Sequence, residues 1–446
     1  MKRSALAALA VLAALAAVAS ASSRAPSVAV PRAAESPAKE LGPLLAVVPG
    51  ARGPVLGRAD KRAIWIGRRS PKLRLYNKVV AWAYARDGSG LVIATQPDGS
   101  GAGAKLHFVD PRLVIRRALT RLPSGYVSAL AWGDDRINLV LNDFDTRQIE
   151  VVSVDTATHR ISVGAKITGS IVGIKRAGGT IVVLLGPRRG IGTATLAVVD
   201  PSGATRTVGL AEIQAGSDMG DGSEPPDFAH LQQNIPGLAV DPETGHAFVV
   251  PANGRIAEVA LSSLGVSYHS LVQPVSLLGS LHDWVEPKAQ AKGANGPVRF
   301  ARWLGSGVLA VTGGDETAAL DSSSQLHVTW TAAGLKLVDT NTWATKVIDR
   351  GADSFAVVGD SLLVTGSSWS ESSRTGMGFA TYAFDGTRKL SVLHGDAAYL
   401  ELAFRGKAYL NLGELYTKKV VDLASGRLLK DRHAPLAELL IGDGSN

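Results

Sequence analysis

Short runs of apolar residues, separated by turn-forming residues, fill the chain from about residue 78 onward. In the stretch 127–167 four such runs follow one another, at 127–132, 137–141, 149–154 and 159–165. Runs of this length between Gly, Asp and Asn turns predict β-strands. The first three runs are almost continuously apolar, which predicts strands buried on both faces. The more polar fourth run predicts a strand at the outer rim.

A repeated turn marker divides the chain into units. The marker is an apolar residue followed by Asp and a turn, and its Asp residues are Asp110, Asp155, Asp200, Asp339, Asp385 and Asp422. Apart from the long interval after Asp200, their spacing of about 37 to 46 residues is close to the range of β-propeller blades. Residues 259–261 stand in the place of the missing marker, which makes seven units. We interpret each Asp as a turn residue whose carboxylate accepts backbone N–H groups.

These units predict an all-β fold, a seven-bladed β-propeller of four-stranded antiparallel blades, with six or eight blades as the alternatives. Two further strand candidates, 62–66 and 73–76, precede the first full unit. We expect one of them to close the ring by pairing with the last blade. A partial eighth blade is the alternative.

One unit carries a family resemblance. Residues 237–250 read Gly-Leu-Ala-Val-Asp-Pro-Glu-Thr-Gly-His-Ala-Phe-Val-Val. The Ala-Val-Asp-Pro-x-Thr-Gly turn before a strand resembles the repeat of the YVTN-type, WD40-like β-propellers. The family's Tyr-Val-Thr-Asn is replaced by Phe-Val-Val-Pro at 248–251, and the Trp-Asp pairs of WD40 repeats are missing. The resemblance spans most of 78–433 in its rhythm and implies architecture without an active site, because this fold hosts many functions.

The N-terminus has the pattern of an export signal. A positively charged start, the apolar run 5–18 and a small-x-small cleavage pattern at 19–21 open the chain. We predict a signal peptide at 1–21, a flexible Pro- and Ala-containing linker at 22–45 and the propeller domain at 46–446. The protein is therefore expected to be secreted or held in the extracytoplasmic envelope. In the alternative, the signal stays uncleaved and anchors the protein.

Composition narrows the chemistry. The chain has no cysteine, which excludes disulfides, thiolate metal sites and a cysteine nucleophile. Its hydrophobic content of 46% supplies a large core. The net charge of +8 comes from dispersed Lys and Arg residues, so we expect an ordinary basic surface. Because an exported protein rarely meets nucleic acid, we expect no nucleic-acid partner, and we expect a monomer. No later run is long enough to span a membrane.

Four insertions interrupt the regular units, at 214–234, 276–297, 313–325 and 366–377. By the strand order, the first two join a fourth strand to the next blade, and the other two join second and third strands. Both kinds of connection leave a propeller on the same face. The insertions are therefore predicted to crowd one face, where binding loops commonly lie.

The first insertion is acidic. Asp218, Asp221, Glu224 and Asp227 lie among glycines and supply the oxygen ligands that a hard cation such as Ca²⁺ prefers. Their spacing is not that of an EF-hand, and a solvated loop is the alternative. No other cofactor is predicted. His230 follows and is a candidate ligand-binding residue.

The second insertion combines an aromatic ring with polar groups, namely His282, Asp283, Trp284 and Glu286. Such a set suits sugar or peptide binding by stacking and hydrogen bonding. Trp330 and Trp369, beside the remaining insertions, are candidates for the same role. Packing of each tryptophan onto its own blade is the alternative.

The sequence lacks the His-Glu-x-x-His, Gly-x-Ser-x-Gly and Gly-x-x-x-x-Gly-Lys signatures. We therefore favour a non-catalytic binding module at a bacterial-type cell envelope, with a protein, peptide or saccharide ligand at one propeller face. A metal-dependent lactonase-like or lyase-like propeller enzyme is one alternative, since its ligands come from different blades and leave no local motif. A structural partner within an envelope complex is another.

Overall fold

The structure is a computed structural model. It describes residues 55–58, 63–67, 74–76, 79–84, 91–96, 103–109, 115–143, 146, 148–217, 234–272, 296–320, 326–358, 361–366, 369–370, 378–383, 386–393, 398–404, 407–412, 417–422, 424–425 and 427–429. The predicted signal at 1–21 and linker at 22–45 lie outside these residues. Within them no helix is long and apolar enough to cross a membrane.

Three short strands at the start of the described chain pair with one another. β1 (Val55–Arg58), β2 (Ala63–Gly67) and β3 (Arg74–Tyr76) form an antiparallel sheet. The candidates 62–66 and 73–76 correspond to β2 and β3, and the described pairings join neither to the last sheet. β2 is paired on both of its edges and is not the closing strand, whereas closure of the ring through β3 stays a prediction. Short connections favour local antiparallel pairing over a long-range partner.

Seven further sheets follow in chain order, here called sheets 1 to 7, and six of them have four antiparallel strands paired in sequence order. Sheet 1 is β4 (Val79–Tyr84), β5 (Leu91–Thr95), β6 (Lys105–Val109) and β7 (Ile115–Arg121). Sheet 2 is β8 (Tyr126–Trp132), β9 (Arg136–Asp143), β10 (Gln148–Asp155) and β11 (Ile161–Thr168). Sheet 3 is β12 (Ser170–Ala177), β13 (Thr180–Gly186), β14 (Gly192–Val199) and β15 (Thr205–Ala215). Sheet 4 is β16 (Gly237–Asp241), β17 (His246–Val250), β18 (Ile256–Ala260) and β19 (Val266–His269).

Sheet 5 is larger. Its strands are β20 (Gly296–Gly305), β21 (Val308–Leu320), β22 (Leu326–Ala332), β23 (Leu335–Asp339) and β24 (Thr345–Asp349). Sheet 6 is β25 (Ser354–Val358), β26 (Ser361–Gly366), β28 (Gly378–Ala383) and β29 (Arg388–Leu393), and its insertion gives β27 (Trp369–Ser370) to sheet 5. Sheet 7 is β30 (Ala398–Phe404), β31 (Lys407–Leu412), β32 (Thr417–Asp422) and β33 (Leu428–Leu429). The prediction of an all-β fold of repeated four-stranded antiparallel units is confirmed.

The sheets stack face to face, and the second strand of sheet 3 shows the consequence. Along β13, Ile181, Val183 and Leu185 pack against sheet 2. The alternate residues Val182 and Leu184 belong to the core shared with sheet 4. Similar apolar cores lie between sheets 1 and 2, sheets 4 and 5, and sheets 5 and 6. Because both faces of a middle strand are covered, its sequence is almost continuously apolar and does not alternate, as the sequence pattern predicted.

The outer strands keep one side in water. In β11 six of the eight residues are exposed, whereas the six central residues of β9 in the same sheet are buried. The predicted difference between apolar inner strands and a polar fourth strand is therefore confirmed in sheet 2.

The marker Asp residues end third strands and fix the following turns. Asp155 Oδ1 accepts the N–H groups of Ala157 (3.0 Å) and Thr158 (2.6 Å). Asp200, Asp339 and Asp422 accept turn N–H groups in the same manner. The structural interpretation of the marker is confirmed at these four sites, and Asp110 and Asp385 lie outside the described residues. We call the end of the sheets that carries these turns the turn end.

A buried polar contact joins sheets 2 and 3 at the turn end. Asn138, which is 0% exposed, donates through Nδ2 to the carbonyl oxygens of Asp200 and Pro201, both at 3.1 Å. Ser153 Oγ donates to Asn138 Oδ1 at 2.7 Å. Gly203 leaves room for this contact, because a Cβ there would lie 2.2 Å from Ser153 Oγ. One asparagine thus holds the turn of the next sheet in place.

Two-sided burial can be tested in β13. Leu184→Ala and Leu185→Ala truncate adjacent side chains that face different neighbouring sheets, so each should lower the free energy of unfolding by about 2–5 kcal/mol. Val163→Ala in β11, where the side chain is 54% exposed, should change it by less than about 0.5 kcal/mol. Urea denaturation measures all three variants. A small loss for either leucine would contradict face-to-face stacking.

Candidate functional site

The strand connections place all four insertions at the same end of their sheets. The first two fall between β15 and β16 and between β19 and β20. The third covers the second half of β21 and its connection to β22, and the fourth follows β26. In an antiparallel sheet, these connections lie opposite the turn end. Adjacent sheets are aligned there, since Ile235 before β16 forms a parallel bridge to Val298 in β20. We call this side the insertion face. The predicted position of the insertions is confirmed for these connections.

Most of the predicted ligand residues lie outside the described residues. These are the acidic set Asp218, Asp221, Glu224 and Asp227, together with His230, His282, Asp283, Trp284 and Glu286. The described part of the chain contains no group of three or more His, Asp or Glu side chains arranged to hold a metal ion. Trp330 and the backbone of Trp369 are described, and the site below is built around them.

The third insertion forms a β-hairpin, although a loop was predicted. The start of β21, residues 308–311, pairs with β23, and residues 314–320 pair with β22. The hairpin therefore extends sheet 5 past the pairing of β21 with β23 on the insertion face. The sequence signal was the run Leu326–Ala332, whose β-branched and aromatic residues favour a strand.

The fourth insertion adds a strand to this hairpin. β27 pairs with β22 so that Trp330 lies opposite Trp369 and Thr329 lies opposite Ser370. Two of the predicted tryptophans, 39 residues apart in the sequence, are thus brought together by main-chain pairing between sheets 5 and 6.

Gly314 supports the Trp330 ring. A Cβ at Gly314 would lie 2.3 Å from Trp330 Cε2 and 2.4 Å from Cζ2, so the indole packs directly on the glycine backbone. Gly313, just before it, has φ of 137° and would place a Cβ 2.0 Å from the carbonyl oxygen of Val298. The Gly-Gly pair is needed because neither position has room for a side chain.

Asp353 holds the polar edge of the same ring. The indole N–H of Trp330 donates to the Asp353 carboxylate, which the side chain and backbone of Ser354 also bind. Asp353 is 7% exposed, and burial raises its pKa to about 6. The sequence prediction missed this residue, because one Asp before an apolar strand is indistinguishable from a turn Asp.

Main-chain hydrogen bonds fix the position of Asp353. Its N–H donates to the carbonyl oxygen of Thr365 at 3.0 Å. The carbonyl oxygen of Ala352 accepts from the N–H of Gly334 at 3.0 Å and from the buried hydroxyl of Thr312 at 3.2 Å. Because Thr312 and Gly334 belong to sheet 5, these bonds lock the junction of sheets 5 and 6 beneath Trp330.

The two faces of the hairpin carry different charges. On one face, Arg299 donates to the carbonyl oxygens of Val298 (3.1 Å) and Gly314 (3.0 Å) and forms an ion pair with Asp315 at 2.9 Å. On the other face, Glu316 lies directly opposite Trp330 in the strand register. Partial burial raises the pKa of Glu316. The face that carries Trp330 is therefore acidic and aromatic.

The described chain consists of antiparallel sheets, mostly four-stranded, that stack face to face, and this is the arrangement of β-propeller blades. Among solved structures, BamB from Moraxella catarrhalis is 14% identical, with a TM-score of 0.41 over 81% of this chain and 96% of that chain. The dihydro-heme d1 dehydrogenase NirN in complex with DHE is 12% identical, with a TM-score of 0.49, and the match covers 90% of this chain and 80% of that chain. The WD40 domain of Toxoplasma gondii coronin is 11% identical, with a TM-score of 0.35 over 77% and 80%. No protein-family model and no curated protein matches the sequence.

The support of Trp330 by Gly314 predicts a specific sensitivity. Gly314→Ala should displace the indole and weaken its hydrogen bond to Asp353, which lowers the free energy of unfolding by about 1–3 kcal/mol. Gly209→Ala in β15 is the matched control, because its Cβ would have no atom within 4 Å. Chemical denaturation compares the two variants, and equal stability would show that the ring does not rest on Gly314.

Asp353 predicts a pH dependence of stability. The pKa of Asp353 is about 6 in the folded chain and 3.8 in its ordinary state. Between pH 3.8 and pH 6 the carboxyl is therefore protonated in the folded chain and ionised in the unfolded chain. Wild-type stability should therefore fall relative to Asp353→Asn as the pH rises from 4 to 7, by about 2 kcal/mol. Urea denaturation at several pH values measures this difference. If the stability of the wild type and of Asp353→Asn changed equally with pH, the raised pKa of Asp353 would be contradicted.

Proposed function

We propose that this protein is a non-catalytic interaction module of the propeller type that binds an extended protein segment on its insertion face. The observation that carries the proposal is the outer edge of β22. Among the described residues, that edge is paired through two residues of β27 alone, Trp369 and Ser370. The other five residues of this seven-residue strand have no strand partner on that edge within the described residues, and an extended segment can pair with them.

The neighbouring side chain gives this edge an anchor. Trp330 is held by Gly314 under its ring and by Asp353 at its N–H group, so its orientation is fixed before a ligand arrives. A pre-ordered tryptophan loses little conformational entropy on binding and is the residue type most often dominant in interfaces. The hairpin therefore combines main-chain pairing with one rigid aromatic contact.

Main-chain pairing favours a protein segment over a saccharide. A sugar can stack on Trp330, but it cannot supply the alternating N–H and C=O groups that extend a sheet. β27 is itself an extended segment added to this edge, so the geometry for strand addition is already in use.

The cellular context of the proposal comes from the N-terminal sequence. A positive start, the apolar run 5–18 and the pattern at 19–21 support export to the cell envelope. We further propose that the sheets close into a seven-bladed ring and that the protein acts as a monomer. Calcium binding by the acidic first insertion remains part of the proposal, since four carboxylates among glycines suit that ion.

Selection of peptides tests the function. Dodecapeptides selected from a random phage-displayed library on the full chain should, once synthesised, protect the amides of β22 from hydrogen exchange. Trp330→Ala should weaken their binding by at least about 2 kcal/mol, or roughly thirtyfold, measured by calorimetry. Trp343→Ala removes an equal ring from the turn between β23 and β24 at the opposite end, and it should leave binding unchanged.

Two results would contradict the proposal. If selection yields no peptide that protects β22, strand addition at this edge is wrong. If defined envelope saccharides bind with dependence on Trp330 and peptides do not, the insertion face is a saccharide site.

A further inference from the structure

We infer that Glu316 and the ring of Trp330 together receive a lysine or arginine side chain of the bound segment. This inference rests on the proposed function and names the chemistry that the segment must carry. Glu316 and Trp330 lie directly opposite each other on β21 and β22. Side chains at opposite positions share one face of the sheet and lie side by side. A cation above the ring therefore also lies within reach of the carboxylate.

Glu316 has no opposite charge of its own within the described residues. Its carboxyl is partly buried and its pKa is raised by burial, with no cation among the described residues acting against that shift. Arg299, the cation on the adjoining strand, is engaged with Asp315 and with two carbonyl oxygens on the other face of the hairpin. A partly buried carboxylate without a counter-charge favours a cationic partner, because such a partner offsets the lost hydration.

Trp330 is prepared for the same partner. Its N–H group donates to the carboxylate of Asp353, which is buried and fixed by the main chain of Thr365. Donation to a carboxylate increases the electron density of the indole. A cation over an indole face gains more than over any other aromatic side chain, and more again when water is partly excluded.

The opposite kinds of ligand group fit poorly. An acidic side chain at this place meets Glu316 and Asp353, so it is repelled. An aliphatic side chain can cover Trp330, but it leaves the Glu316 carboxylate without a partner and less hydrated than before. The site therefore selects a side chain with an apolar stem and a cationic end, as lysine and arginine both have.

The experiment uses the selected peptides and one substitution in each. Every selected peptide should carry Lys or Arg at one fixed position. Replacing that residue by norleucine, which keeps the stem and removes the charge, should weaken binding about tenfold, and added salt should shrink this difference. In Glu316→Gln the two peptide forms should bind about equally. Asp315→Asn, on the same strand but already paired with Arg299, is the matched control and should keep the tenfold preference.

The outcomes separate this inference from the proposed function. Peptides that protect β22 but carry no fixed cation, or that keep their charge preference in Glu316→Gln, would overturn the inference and leave the function standing. If no peptide binds, the function fails, and N-acetyl-lysine amide then decides the inference. Saturable quenching of tryptophan fluorescence that is lost in Glu316→Gln supports the inference, whereas equal quenching in both proteins overturns it.

Discussion

Apolar contact on both faces of the middle strands, seen in sheets 2 to 5, is the constraint on which the rest of this molecule depends. A single four-stranded sheet of this chain cannot bury its apolar residues, because they point both ways. Val182 and Leu184 need sheet 4, while Val183 and Leu185 need sheet 2. Each sheet is therefore stable as part of a stack and not alone, which is the usual behaviour of repeat proteins.

Polar contacts at the sheet ends convert the stack into a defined geometry. At the turn end, the buried Asn138 donates hydrogen bonds to two carbonyl oxygens of the next sheet, those of Asp200 and Pro201. At the insertion end, the carbonyl of Ala352 is held by Thr312 and Gly334. Apolar contact is not directional, so it allows neighbouring sheets to shift along each other. A buried carbonyl oxygen is stable only when its hydrogen-bond donor lies at the right distance and direction. These contacts therefore fix the relative positions of neighbouring sheets. Between sheets 5 and 6 they also fix the position of Asp353 below Trp330.

The sequence predicted the repeated sheets well because each unit carries the same physical requirements. The marker Asp satisfies the N–H groups of a tight turn, and two-sided burial demands unbroken apolar runs. Both signals are local, so they are visible without a structure. They also placed the insertions on the correct end of their sheets. The strand β2 was a candidate for closing the ring, but both of its edges pair with β1 and β3, because strand pairing across a chain is decided by competing contacts and not by local pattern.

The site was predicted less completely, for the same reason. Trp330 and Trp369 stood out as aromatic residues beside insertions, but their opposition depends on the pairing of β22 with β27. Asp353 and Glu316 gave no local signal. Their importance comes from neighbours supplied by other strands and from the loss of water around them. Burial of a carboxylate is a property of the assembled sheets, and it cannot be inferred from the two residues on either side.

The short strand β27 also bears on the solubility of the protein. An open edge of a sheet is attractive to any extended chain, including another copy of the same molecule. A second copy that pairs along the whole of β22 must first displace β27 from Thr329 and Trp330. A segment carried by the adjacent sheet is tethered, so it covers the edge at a local concentration that a separate molecule reaches only in a crowded solution. Self-association along the full edge of β22 is thereby opposed by a segment of the same molecule.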